Sequence, residues 1–168
     1  KCNFRCSYCL PNGYSPKHNS LNQNSTNSFL SLNEINNLVQ AFSHLGVEKI
    51  RLTGGEPTLR SDIVSIVETI KDHSPVKTVA LTTNGFRLNS ILCDLKLAGL
   101  DALNISLDSL NQQKFKSLTG SDLKDQILKT IEQAIKLNFS KIKINCVLLK
   151  DINDIEFLDF LQFVKNKP

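Results

Sequence analysis

From residue 31 to the end of the chain, strand-like runs alternate with amphipathic helical stretches, and this alternation limits the fold more than any other feature. Val47 to Thr53, Val76 to Thr83, Asp101 to Leu107 and Ile142 to Leu149 read as strands. Around them apolar residues return at helical spacing: Ile35, Leu38, Val39 and Phe42, then Ile63, Ile66, Val67 and Ile70, then Leu88 to Leu97 and Asp125 to Leu137. Lys114 to Leu118 is a short helix before Gly120, and Ile155 to Lys165 a final one. A helix between two strands carries the chain back to the end where the first strand began, so the strands pair in parallel. The class is therefore α/β.

Each strand also alternates in polarity. Lys49, Arg51 and Thr53 oppose Glu48, Ile50 and Leu52; Ala80, Thr82 and Asn84 oppose Val79, Leu81 and Thr83. Asn104, Ser106 and Asp108 oppose Leu103, Ile105 and Leu107, while Lys143 and Asn145 oppose Ile142, Ile144 and Cys146. A half-solvated antiparallel sheet shows the same alternation. Here, however, the intervening helices must cover apolar surface, which leaves the polar faces to line a shared interior. A sheet curved into an open barrel with a hydrophilic lumen meets that demand.

Local signals mark the joints. Ser31-Leu-Asn-Glu34 is a capping box that opens the first helix, which ends at Gly46. Gly54-Gly55-Glu56-Pro57 and Asn84-Gly85 break the strands that precede them, and Gly99 closes a helix. Residues 11–28, rich in Asn and Ser and without apolar period, are expected to be a flexible, exposed connection. The chain begins without Met and directly on a cysteine motif, so it reads as a fragment, with a strand expected before Lys1.

Composition excludes several classes. With 168 residues, 40% hydrophobic content and a mean hydropathy of -0.14, one buried core is affordable and no stretch is apolar enough to span a membrane. A net charge of +4, spread along the chain, gives no nucleic-acid-coating surface. A cytoplasmic protein is expected, or a mitochondrial-matrix one in a eukaryote. Five cysteines, an odd count with no secretory segment before them, argue against a disulfide framework. Cys93 and Cys146 lie in apolar segments and are expected to be buried as small hydrophobes.

The other cysteines carry the chemistry. Cys2, Cys6 and Cys9 form a C-x3-C-x2-C run with Tyr8 just before the last thiol. Four thiolates would close a zinc site or saturate a cubane iron–sulfur cluster, whereas three leave one metal corner open. Structural zinc would need a fourth ligand, and His18 is the nearby candidate.

Lys-Cys-Asn-Phe-Arg-Cys-Ser-Tyr-Cys, followed by Gly-Gly-Glu-Pro at the end of the next strand, resembles the radical-SAM superfamily. Within it the closest resemblance is to the branch that cyclises GTP in molybdenum cofactor biosynthesis. That resemblance implies a lyase on a partial (βα)6 TIM-like barrel truncated at both ends, with residues 1–168 as a core-domain fragment supplying the second to fifth strands. It implies a 4Fe-4S cluster on Cys2, Cys6 and Cys9, and S-adenosylmethionine (SAM) held by Tyr8, Gly55 and Ser106. It assigns GTP to Arg51, Thr82 and Lys143, in keeping with the need of two cations in a lumen for an anion. No catalytic side chain is implied beyond these. A second 4Fe-4S cluster is expected only in a C-terminal region beyond this chain. Implied partners are a flavodoxin- or ferredoxin-like electron donor, cyclic pyranopterin monophosphate synthase as the pathway partner, and a second copy in a homodimer. The rivals are another radical-SAM enzyme, such as a peptide-modifying maturase, and more remotely a non-enzymatic metal-binding module.

Overall fold

A computed structural model describes residues 1–12, 29–73 and 75–167. Most of the expected connection at 11–28, with His18, lies outside the described residues. Four parallel strands form one sheet in chain order: β1 (Lys49–Leu52), β2 (Thr78–Thr83), β3 (Ala102–Ser106) and β4 (Lys141–Asn145). Helix α1 (Leu32–His44) precedes β1, α2 (Ile63–Lys71) follows it, and α3 (Leu88–Leu97) follows β2. After β3 come α4 (Gln112–Thr119) and α5 (Lys124–Lys136), and after β4 a 3-10 turn, Asp154–Glu156, and α6 (Phe157–Val164).

The register aligns each strand's apolar residues. Leu52, Leu81, Leu103 and Ile142 stand side by side across the sheet, with Ile105 beside Ile144 one step on. Leu81, Leu103 and Ile105 form one core with Ile66 and Ile70 of α2, Leu88, Leu92 and Leu95 of α3, and Ile127 and Ile131 of α5. Each such side chain contributes about 1.5–3 kcal/mol on leaving water.

The helix boundaries follow local chemistry. At α1 the Ser31 hydroxyl accepts from the Glu34 N–H at 3.3 Å, and Glu34 Oε2 accepts from the Ser31 N–H at 2.8 Å, completing the capping box. Helix α4 is longer than expected because Asn111 caps its start by accepting from the Lys114 N–H, and Gly120 ends it at φ +69, a conformation that suits glycine.

Two expectations need correction. Cys93 is exposed: α3 turns Leu88, Leu92 and Leu95 inward, and Cys93, one residue after Leu92, falls outside that stripe. Cys146 is half-buried. The fourth strand stops at Asn145 instead of reaching Leu149, because side chains take over the next backbone groups. Asp108 Oδ1 accepts from the Val147 N–H at 3.0 Å and Asn153 Nδ2 donates to the Val147 carbonyl at 2.9 Å.

The polar faces also align. Thr82, Asn104 and Lys143 form one row, Ser106 and Asn145 the next, and Arg51 lies in a row with Ala80, Ala102 and Lys141. This face is open: Arg51, Lys143 and Asn145 are exposed, and Thr82, Asn104 and Ser106 are half-buried. A cavity of about 930 Å³ opens between α1, the edge of β1 and α2, against Ile35, Leu38 and Ile66, and reaches Lys1, Gly55 and Glu56 at the end of β1.

Candidate active site

The cysteine loop runs along the carboxyl ends of three strands. At the end of β1 the Glu56 N–H donates to the Lys1 carbonyl at 2.8 Å. Beyond the end of β2, Asn84 Nδ2 donates to Asn3 Oδ1 at 2.9 Å and lies 3.9 Å from Cys2 Sγ. Beyond the end of β3, the Tyr8 hydroxyl donates to Asp108 Oδ2 at 2.6 Å. Carboxyl ends of parallel strands are where side chains from separate loops converge, and here they converge on the cysteine loop.

Gly55 is required by this approach. A Cβ there would stand 2.1 Å from the Lys1 carbonyl oxygen, so any side chain would push the cysteine segment away. Glu56, beside it, is 3% exposed and fully engaged. Its Oε1 accepts from the Thr58 N–H, the Thr58 hydroxyl and the Thr83 hydroxyl at 2.9, 2.5 and 2.7 Å, and its Oε2 from the Asn84 N–H at 2.6 Å. The carboxylate thus clamps the turn after β1 to the end of β2, which in turn positions Asn84 over Cys2.

Cys6 and Cys9 share one turn. The N–H groups of Cys9 and Leu10 both donate to the Cys6 carbonyl, at 3.0 and 2.9 Å. Burial pushes the Cys6 thiol up to about 11 against a lowering hydrogen bond from Tyr8, and the charges of Asp108, Cys2 and Cys9 add to the rise. A bound cation reverses that balance, since metal coordination deprotonates a thiol. Burial and the Asp108 carboxylate hold the Tyr8 phenol neutral, well above the ordinary tyrosine range.

On the polar face, Arg51 Nη1 donates to Thr82 Oγ1 at 3.1 Å, which brings two of the expected GTP residues into contact. Lys143 shares their face from β4 with Asn104 between, and makes no ion pair among the described residues. Ser106 lies at the carboxyl end of β3, on the same face. Glu56, Asn84 and Asp108 escaped the sequence reading as organising residues. Their common signal is a polar side chain within four residues of a strand's carboxyl end.

Over residues 1–164 the chain matches the radical SAM superfamily. It belongs to that superfamily. It is 47% identical over 99% of its length to the GTP 3′,8-cyclase of Pasteurella multocida, and 46% identical over all of it to that of Haemophilus influenzae. Against the GTP 3′,8-cyclase of Mannheimia succiniciproducens the identity is 49% over 99% of the chain. In each case the chain spans 48% of the relative, about half its length. Among solved structures, native anSMEcpe with bound AdoMet and Kp18Cys peptide superposes with a TM-score of 0.73 at 18% identity, over 98% of this chain and 45% of that one. The FeFe-hydrogenase maturase HydG from Carboxydothermus hydrogenoformans gives 0.65 at 19%, over 96% and 39%. Identities that low speak to the fold alone, and they agree on an α/β fold consistent with a partial TIM-like barrel.

Membership of the radical SAM superfamily implies a 4Fe-4S cluster and SAM. The donor set fits. Among the described residues no His, Cys, Asp or Glu trio is arranged to ring a single metal ion. The cysteines outside the loop are committed elsewhere, Cys93 to the exposed side of α3 and Cys146 beside the Asp108 carbonyl. Three thiols in one loop, Cys2 ahead of the turn that carries Cys6 and Cys9, with no fourth beside them among the described residues, suit a cluster that keeps one iron open. No described helix is long and apolar enough to cross a membrane.

Proposed function

We propose that this chain is the SAM- and nucleotide-binding part of a GTP 3′,8-cyclase, which converts GTP to its 3′,8-cyclo-7,8-dihydro derivative for molybdenum cofactor biosynthesis. The observation that carries the reading is the meeting of the cysteine loop with a polar sheet face bearing Arg51, Thr82 and Lys143. The 46–49% identity to proteins of that name supports it. Cys2, Cys6 and Cys9 hold the cluster; Tyr8, Gly55 and Ser106 border SAM, with Gly55 letting the cysteine segment pack directly on the turn after β1. When bound, cluster and SAM supply the one-electron cleavage that starts the reaction.

The remaining work falls to the chain's own side chains. Arg51 and Lys143 carry positive charge toward a triphosphate, and Thr82, engaged by Arg51, limits the directions in which that guanidinium points. Fixing both reactants above one face turns a bimolecular encounter into an intramolecular one and keeps water from the reacting atoms. A second 4Fe-4S cluster, in a C-terminal region outside this chain, is part of the proposal. An external electron donor of flavodoxin or ferredoxin type, cyclic pyranopterin monophosphate synthase downstream, homodimerisation and a cytoplasmic setting complete the proposal. Labelled GTP binding to the full-length protein tests it. Arg51→Ala and Lys143→Ala each weaken binding by about tenfold, the loss of one charge-assisted contact. Absence of binding by the unsubstituted protein, with the cluster loaded, overturns the GTP reading.

A further inference from the structure

We infer that Asp108 is a positioning residue that sets the cysteine loop through the Tyr8 hydroxyl, a role that rests on the cluster reading given above. The two halves of the loop are held differently. Up to Ser7 it is tied by backbone: Lys1 to Glu56, Arg5 N–H to the Thr119 carbonyl and Ser7 N–H to the Leu118 carbonyl, the last two at 2.9 Å. Phe4 is buried edge-on against Phe115. From Tyr8 to Leu10 the backbone bonds stay inside the loop, and among the described residues the Tyr8 hydroxyl makes the one hydrogen bond that leaves it. Cys9 is held to Cys6 by the turn's own backbone bonds, and beyond Ser7 that turn is held to the strand ends by a single side-chain tether among the described residues.

The far end of the tether is rigid. Asp108 is 2% exposed and has no ion-pair partner among the described residues. Its second oxygen accepts from the Val147 N–H just past β4, and its carbonyl accepts from Asn153 Nδ2 at 2.6 Å. One carboxylate thus joins the cysteine loop, the end of β3 and the end of the strand that carries Lys143. A hydroxyl donating to an ionised carboxylate is among the stronger hydrogen bonds a protein makes, and burial strengthens it further.

The test uses the full-length protein with two readouts: hydrogen exchange of the Cys9 and Leu10 amides without cofactor, and the rate at which a ferrous chelator strips iron after anaerobic reconstitution. Tyr8→Phe and Asp108→Ala should each accelerate both by about tenfold, and the double variant should be no faster than either. Asp108→Asn can turn its carbonyl to Val147 and donate to the Tyr8 hydroxyl, so it should stay within about threefold of the parent. If Tyr8→Phe matches the parent in both readouts, or the two effects multiply, the tether is refuted. Should Asp108→Ala fail to fold, Tyr8→Phe against Asp108→Asn still decides. If the parent takes up no cluster, the cluster reading falls while amide exchange still judges the tether.

Discussion

On one side of the sheet Leu81, Leu103 and Ile105 are sealed among α2, α3 and α5; on the other, one strand's thickness away, Arg51, Lys143 and Asn145 stand open with Thr82, Asn104 and Ser106 half-open. The first face is apolar apart from Thr83, whose hydroxyl donates to Glu56, and gains from carbon removed from water. The second exposes donors and cations, among them Lys143, which makes no ion pair among the described residues. Stability and binding are therefore written on alternate residues of the same strands, and a substitution should disturb one property while sparing the other.

The sharpest separation should come at the rim. Cys6→Ala removes a thiol while keeping most of the volume packed against the core, so iron uptake after reconstitution should fall to background while the thermal midpoint of the cofactor-free protein shifts little. Parallel loss of fold would erase the distinction between the two faces. Next in size, Leu103→Ala on the buried face should cost about 2–5 kcal/mol in denaturant unfolding, the range for truncating a core leucine. Below the onset of unfolding, its GTP affinity should match the parent's. Smaller again, Thr82→Val keeps the shape of the open face but removes the acceptor for Arg51 Nη1. GTP affinity should fall about three- to tenfold with stability nearly unchanged, as for loss of one hydrogen bond at an open site. A large unfolding penalty instead would mean that the polar face also carries stability.

Much of this division was legible in residue order. Period-two alternation assigned Arg51 and Thr82 to one face and Leu52 and Leu81 to the other, and Ser31-Leu-Asn-Glu34 announced its cap, because both signals act within a few residues. Glu56, Asn84 and Asp108 were not legible as organisers, because their partners are distant: Thr83 and Asn84 for Glu56, Cys2 and Asn3 for Asn84, and Tyr8 for Asp108. No local period encodes a bond between residues 8 and 108. Cys93 shows a different lapse, since the stripe Leu88, Leu92, Leu95 already excluded it, and apolar neighbours were mistaken for burial.

The smallest effect concerns a buried carboxylate in the 3-10 turn after β4, and its sign follows from its surroundings. Glu156 is 6% exposed; burial pushes its carboxyl up, but Lys114 at 2.9 Å, the Leu110 N–H and the Ser109 hydroxyl together hold it below the ordinary range. A carboxyl lowered by folding adds stability at pH above its unfolded value, and that contribution fades as the pH drops through the folded value. Glu156→Gln should therefore lower stability at neutral pH, and the two unfolding curves should converge in acid. The 3-10 turn and α6 hang on this anchor and α6 buries none of its residues, so amide exchange should rise there before it rises in the core. A stability difference independent of pH would mean that Glu156 acts through packing alone, leaving α6 held by contacts other than the charge at its base.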